Sequence, residues 1–116
     1  MRYLAATLAL VFLAAAPAPP LARAERVKIE ALIATVEKLP DAVFVRNGKA
    51  YKGSTAAKFL RGKWDDRAAE IRTAEEFIAK VATRSSTTGR AYLVRYKDGR
   101  EIETAAFFRA ELAKLK

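Results

Sequence analysis

Arg84 and Arg90 bracket five residues, Ser85-Ser86-Thr87-Thr88-Gly89. Hydroxyls, open backbone N–H groups and two guanidiniums in one short stretch are the parts from which a site for phosphate, sulfate or carboxylate is built. The same composition also makes a plain solvated connector after a helix, with Gly89 supplying a positive φ. No phosphate-loop spacing decides between the two readings. Arg46, directly before Asn47-Gly48, is equally double: an exposed hairpin tip or a salt-bridged anchor. The candidate ligand- or partner-binding residues are therefore Arg46, Asn47, Arg84, Ser85, Ser86 and Arg90.

The sequence holds no histidine and no cysteine. That removes Ser-His-Asp and Cys-His nucleophile systems, thiolate chemistry, and the zinc and haem sites built from those ligands. A Ser-Lys mechanism needs lysine three residues after the serine on a helix. Ser54, Ser85 and Ser86 are followed at that spacing by Ala57, Thr88 and Gly89. The paired acids Asp65-Asp66 and Glu75-Glu76 are adjacent, so on a helix they point apart and form no ready acid/base couple. No catalytic residue, metal or cofactor is expected, and the residues favour a binding domain over an enzyme. Tyr51, Trp64, Tyr92 and Tyr96 among basic residues could stack on bases or sugars. Trp64 and Tyr92 fall at core-facing positions, while Tyr51 and Tyr96 stay open.

The elements that must position these residues follow from periodicity. Ile29, Leu32, Ile33 and Val36 recur at helical spacing, so residues 26–39 are read as a helix stopped by Pro40. Val43-Phe44-Val45-Arg46 leads into Asn47-Gly48, a hairpin signal, with Lys49–Lys52 returning. Gly53-Ser54-Thr55 opens a second helix, capped by Ser54 or Thr55, with Ala57, Leu60 and Trp64 on one face and Phe59 beside them. Thr73-Ala74-Glu75-Glu76 is a capping box for a third helix that presents Phe77, Ile78 and Val81 inward and ends near Thr83. Tyr92–Tyr96 is a strand, Lys97-Asp98-Gly99-Arg100 a turn, and Arg100–Glu103 its return. Thr104 caps a last helix with Phe108, Leu112 and Leu115 on one face and Phe107 to the side.

Two short hairpins are unstable alone in water. They merge most economically into one small antiparallel sheet packed against about four helices, an α+β domain. Both halves run helix, strand, turn, strand, helix, but residue similarity is too thin to make a repeat.

The first 24 residues read as a cleaved secretory signal. Arg2 precedes an uncharged run from Leu4 to Ala16, a Pro-rich break follows, and Ala22-Arg23-Ala24 offers small residues for cleavage after Ala24. Thirteen residues are too few to span a bilayer, so no membrane span remains after cleavage. The 92 residues from Glu25 to Lys116 form one domain, with 20 basic and 13 acidic residues and a net charge of +7. That balance favours anionic partners. With no three basic residues consecutive, and export expected, nucleic acid is not among them.

The segments Phe44-Val45-Arg46-Asn47-Gly48 with Tyr51, Ala57-Lys58-Phe59-Leu60 with Lys63, Thr73-Ala74-Glu75-Glu76-Phe77-Ile78 and Ser85-Ser86-Thr87-Thr88-Gly89-Arg90-Ala91-Tyr92 are similar to those of the YfeK-like family. These are small exported bacterial proteins of unknown function. The resemblance spans nearly all of residues 25–116 and implies a periplasmic address and no known activity. The expected function is a periplasmic or secreted binding domain for an envelope protein or an anionic glycan or lipid head group. The alternatives are a carboxylate-dependent hydrolase of envelope material and a purely structural envelope protein.

Overall fold

A computed structural model describes residues 21–115. The order is α1 (Arg23–Glu37), β1 (Val43–Arg46), β2 (Lys49–Tyr51), α2 (Gly53–Asp66), a 3-10 turn at Ala68–Glu70, α3 (Ala74–Lys80), β3 (Leu93–Arg95), β4 (Glu101–Glu103) and α4 (Thr104–Lys114). The two hairpins join into one four-stranded antiparallel sheet in the order β2-β1-β3-β4. The fold is α+β. The central register pairs Phe44 with Val94, and the flanking pairs are Phe44 with Tyr51 and Val94 with Ile102. This row faces the helices, and the core gathers Ile29, Leu32, Ile33 and Val36 of α1, Leu60 and Trp64 of α2, Phe77 and Ile78 of α3, and Phe107 and Phe108 of α4 around it. Read from either half, the elements run helix, strand, strand, helix, and β1 and β3 meet at the centre of the sheet. Among the described residues no helix is long and apolar enough to cross a membrane.

Local chemistry accounts for most boundaries. Asn47 and Gly48 take φ of 51° and 77°, the two positive values a tight two-residue hairpin needs. Thr73 caps α3, its Oγ1 accepting from Glu76 N–H at 3.0 Å. Glu25 of α1 adds a second cap from outside, accepting from Ala74 N–H at 3.3 Å. Its carboxyl is held below the usual carboxylate range by the hydrogen bond from Lys28.

The structure moves four boundaries. The first helix begins at Arg23, so Arg23 and Ala24 form its first turn, with Ala22 O accepting from Arg26 N–H. Neither Ser54 nor Thr55 caps α2. It starts at Gly53 after Lys52, because α2 enters directly against the end of α1. A Cβ on Gly53 would lie 2.3 Å from Val36 O and 3.0 Å from Glu37 O, so only glycine admits that approach. The third helix ends at Lys80, before Thr83, whose hydroxyl turns back to Ile78 O at 2.6 Å. Thr104 is the first residue of α4 rather than its cap, and it is fully buried with Oγ1 unpartnered. The buried face of α4 is then Thr104, Ala105, Phe107 and Phe108. Leu115 lies past its end at 37% exposure.

Candidate functional site: a cationic cleft beside the hairpin tip

Strand parity decides where Arg46 goes. Alternate strand residues share a face, so Arg46 lies on the helix side with Phe44. It cannot join the core and stops at the rim, where its guanidinium carbon stacks 4.2 Å from the centroid of the Phe59 ring on α2. Phe59 in turn meets Tyr92 edge to face at 5.7 Å, and Tyr92 packs on Phe44 at 5.2 Å. Arg46 is half-buried. Its Nε is buried without a hydrogen-bond partner, and it forms no ion pair among the described residues. A half-buried guanidinium with its Nε unpartnered and no carboxylate beside it is an unusual thing to keep.

Lys63 stands one helical turn beyond Phe59 on the same face of α2. Its Nζ donates to Arg84 O at 2.8 Å and to Tyr92 Oη at 3.1 Å, and lies 5.0 Å from the Tyr92 ring centroid. Burial lowers its pKa to about 8, with the positive charges of Arg67 and Arg46 adding to the effect. Tyr92, only 1% exposed, is shifted the other way: burial raises its phenol pKa, while Arg46 opposes the rise. At neutral pH the phenol keeps its proton and Lys63 is mostly ammonium, with about a tenth as free amine.

Arg46, Lys58, Phe59, Gly62, Lys63, Asp66, Ser86, Thr87 and Tyr92 surround a cleft of about 330 Å³. A second hollow of about 460 Å³ adjoins it across Lys63 and Ser86, and is lined further by Arg67, Lys80, Arg84, Ser85 and Gly89. Arg67 and Lys80 are committed to ion pairs with Glu70 and Glu76, at 2.9 and 3.3 Å. Arg46 and Lys63 have no such partner among the described residues.

The six residues singled out in the sequence do not converge on one point. Arg46 and Ser86 line the first cleft, and Arg84, Ser85 and Ser86 the second. Asn47 and Arg90 line neither. Asn47 is structural: its Nδ2 donates to Ser85 Oγ at 3.2 Å, and its Oδ1 accepts from Thr88 Oγ1. Ser85 is 1% exposed, so it belongs to the interior rather than to an exposed binding surface. Its Oγ also accepts from the N–H groups of Thr87 and Thr88 and sits 2.9 Å from Thr87 Oγ1. The Arg90 side chain lies against the hairpin tip, where a Cβ on Gly48 would be 3.4 Å from its Nη1. Arg84 pairs with Ala91 as an isolated bridge that closes the loop's neck, leaving its side chain exposed.

Sequence reasoning missed Phe59, Lys63 and the phenol of Tyr92. The spacing of Phe59 and Lys63 on one helical face was visible, and so was the shared parity of Phe44 and Arg46. What joins them is the packing of α2 against β1 and Tyr92, which no local pattern specifies.

The chain is similar to the uncharacterized protein YfeK of Salmonella typhimurium (strain LT2), at 41% identity over 68 residues. That match takes in 59% of this chain and spans 57% of the relative's length. No solved structure matches. Residues 23–116 match the model of a family of unknown function (DUF5329), and the chain belongs to that family.

Proposed function

We propose that this protein is an exported, non-enzymatic binding domain that holds an anionic group of a cell-envelope component in the cleft between β1, α2 and the 84–92 loop. The observation that carries the reading is Arg46. It is half-buried, stacked on Phe59 and unpaired with any carboxylate among the described residues, beside a second unpaired cation, Lys63. An incoming carboxylate or phosphate would give both cations the counter-charge they lack, in a place where burial strengthens the attraction. Ser86 and Thr87 line the same cleft, with the Thr87 N–H and hydroxyl already bonded to Ser85 Oγ. The flat phenyl of Phe59 suits a ligand with apolar surface next to its charge, as in a glycan acid or a lipid head group. The signal sequence read in residues 1–24, cleaved after Ala24, supports a periplasmic or secreted address. The hydrolase alternative has less to stand on, since the first cleft brings in one acid, Asp66, which is exposed.

The test is a thermal-shift titration of the purified protein with inorganic phosphate, acidic wall glycan fragments and vesicles carrying anionic lipid. A ligand at about 100 times its Kd adds about 2.7 kcal/mol, several degrees in a domain this small. The expected result is a shift with one of these probes that disappears in Arg46→Met and Lys63→Met. Equal shifts in wild type and both variants would overturn the assignment, and no shift with any probe would move the weight to an envelope protein as partner.

A further inference from the structure

We infer that Lys63 is a nucleophilic amine and that the cleft captures a small anionic carbonyl compound, an oxo-acid or a phosphorylated aldehyde, as an imine on its Nζ. The inference rests on the anion-binding reading of the cleft and goes one chemical step further.

The geometry is that of an amine presented for attack. A neutral lysine nitrogen has two hydrogens and one lone pair. Both hydrogens have acceptors here, Arg84 O at 2.8 Å and Tyr92 Oη at 3.1 Å, so the lone pair takes the fourth tetrahedral direction. Lys63 lines both hollows, so its side chain borders the space a reagent would enter. Arg46 of β1 and Arg67, directly after α2, add positive charge around it, and Lys58, Asp66 and Tyr92, directly before β3, line the same cleft. Cationic neighbours and partial burial are how a lysine amine is made reactive near neutral pH. The depressed pKa of about 8 agrees with that geometry. An anionic substituent on the carbonyl compound is drawn to Arg46, which holds the carbonyl carbon beside Nζ.

The chemistry balances with no further reagent. The Nζ lone pair forms the C–N bond while the carbonyl π electrons move to oxygen. That oxygen leaves as water, carrying the two hydrogens of the amine. Tyr92 Oη, protonated at neutral pH, can hand its hydrogen to the carbonyl oxygen and take one back from nitrogen. Proton uptake from solvent gives the iminium, whose one N–H still has Arg84 O or Tyr92 Oη to bond.

The experiment exposes the full-length protein to glyoxylate with cyanoborohydride at pH 7.5 and locates the reduced adduct by peptide mass mapping. A lysine with pKa near 8 holds roughly two hundredfold more free amine at that pH than one near 10.4. Lys63 is therefore expected to be labelled at least about tenfold faster than any other lysine. The labelling rate should rise with a midpoint near pH 8 and fall in Arg46→Met. The Lys63→Arg protein should lose the fast adduct, and wild type in urea should lose the selectivity. Even labelling across the folded protein's lysines, or a protected Lys63, would overturn the inference. Glycolate, the same anion without a carbonyl, separates the two claims. If it perturbs the amide resonances of Arg46 and Phe59 while glyoxylate leaves Lys63 unmodified, imine capture fails and anion binding stands. If neither compound acts on the cleft, both fail.

Discussion

Asn47 Nδ2 donates to Ser85 Oγ across 38 residues of sequence, at 3.2 Å. That one bond ties the β1–β2 turn to the loop between α3 and β3. Ser85 then holds Thr87 and Thr88 through its hydroxyl, and Gly89 N–H donates to Ser85 O at 2.9 Å. The loop that walls both hollows is therefore fixed from the hairpin tip. Ser85→Ala removes an acceptor that several donors share in the interior, and should cost about 1–3 kcal/mol. A thermal melt should fall by several degrees. An unchanged melting temperature would mean that water takes over the bonds and that the tie is dispensable.

Two glycines of α2 should respond to alanine with opposite signs. Gly53 sits where a Cβ would meet Val36 O at 2.3 Å, so Gly53→Ala forces α1 and α2 apart and should destabilise by about 1–3 kcal/mol. Gly62 has nothing within 4 Å of a Cβ, so Gly62→Ala should stabilise by about 0.5–1 kcal/mol through helix propensity. Chemical denaturation of both variants checks the pair, and the same sign in both would contradict the described helix contact.

Stability should depend on pH through Lys63. Its folded pKa, near 8, lies below the unfolded value near 10.4. Between those values the unfolded chain binds more protons than the folded one, so the contribution of Lys63 to stability rises with pH across that window. Tyr92 opposes this rise from about pH 10 upward, because its phenol is shifted upward and the unfolded chain ionises first. After allowing for solvent screening of a half-buried group, the rise should be about 1 kcal/mol from pH 7.5 to 10. The stability of wild type relative to Lys63→Met, read from denaturation curves, should rise by that amount with rising pH. Parallel curves would mean that Lys63 titrates as an ordinary surface lysine.

Phe59 should matter to ligand binding without contributing charge. Phe59→Leu keeps apolar volume but removes the ring under Arg46, an interaction worth about 0.5–2 kcal/mol in a partly desolvated setting. Binding of whichever anion the titrations identify should weaken roughly 3- to 30-fold. The variant should stay folded, because Phe59 is only partly buried. Isothermal titration provides the check, and unaltered affinity would remove Phe59 from the site.

The proposed export can be tested by mass. The full precursor expressed with an active secretory pathway should yield an extracytoplasmic product that starts at Glu25. Intact-mass measurement decides it. A product retaining residues 1–24 would contradict both the leader and its cleavage point.

The sequence by itself determined the class of fold, and the reasons are local. Hydrophobic spacing marked the four helices, Asn47-Gly48 and Asp98-Gly99 marked the two hairpins, and Thr73 with Glu76 marked the start of α3. Such signals act within a few residues, where backbone sterics and capping bonds decide the outcome. The ends of elements were less legible: Gly53 begins α2 because of a carbonyl on α1, and Thr104 is buried by helix packing rather than left free to cap. The site was least legible of all. The Ser/Thr loop stands out for its composition, yet Ser85 serves to fold it, and the proposed site rests on Arg46, Phe59, Lys63 and Tyr92. Those four come from β1, α2 and the residue directly before β3, and only the docking of α2 against β1 and Tyr92 brings them together. Burial then does what sequence cannot specify. It leaves Arg46 without a carboxylate and lowers the pKa of Lys63, because both properties depend on which groups exclude water from them.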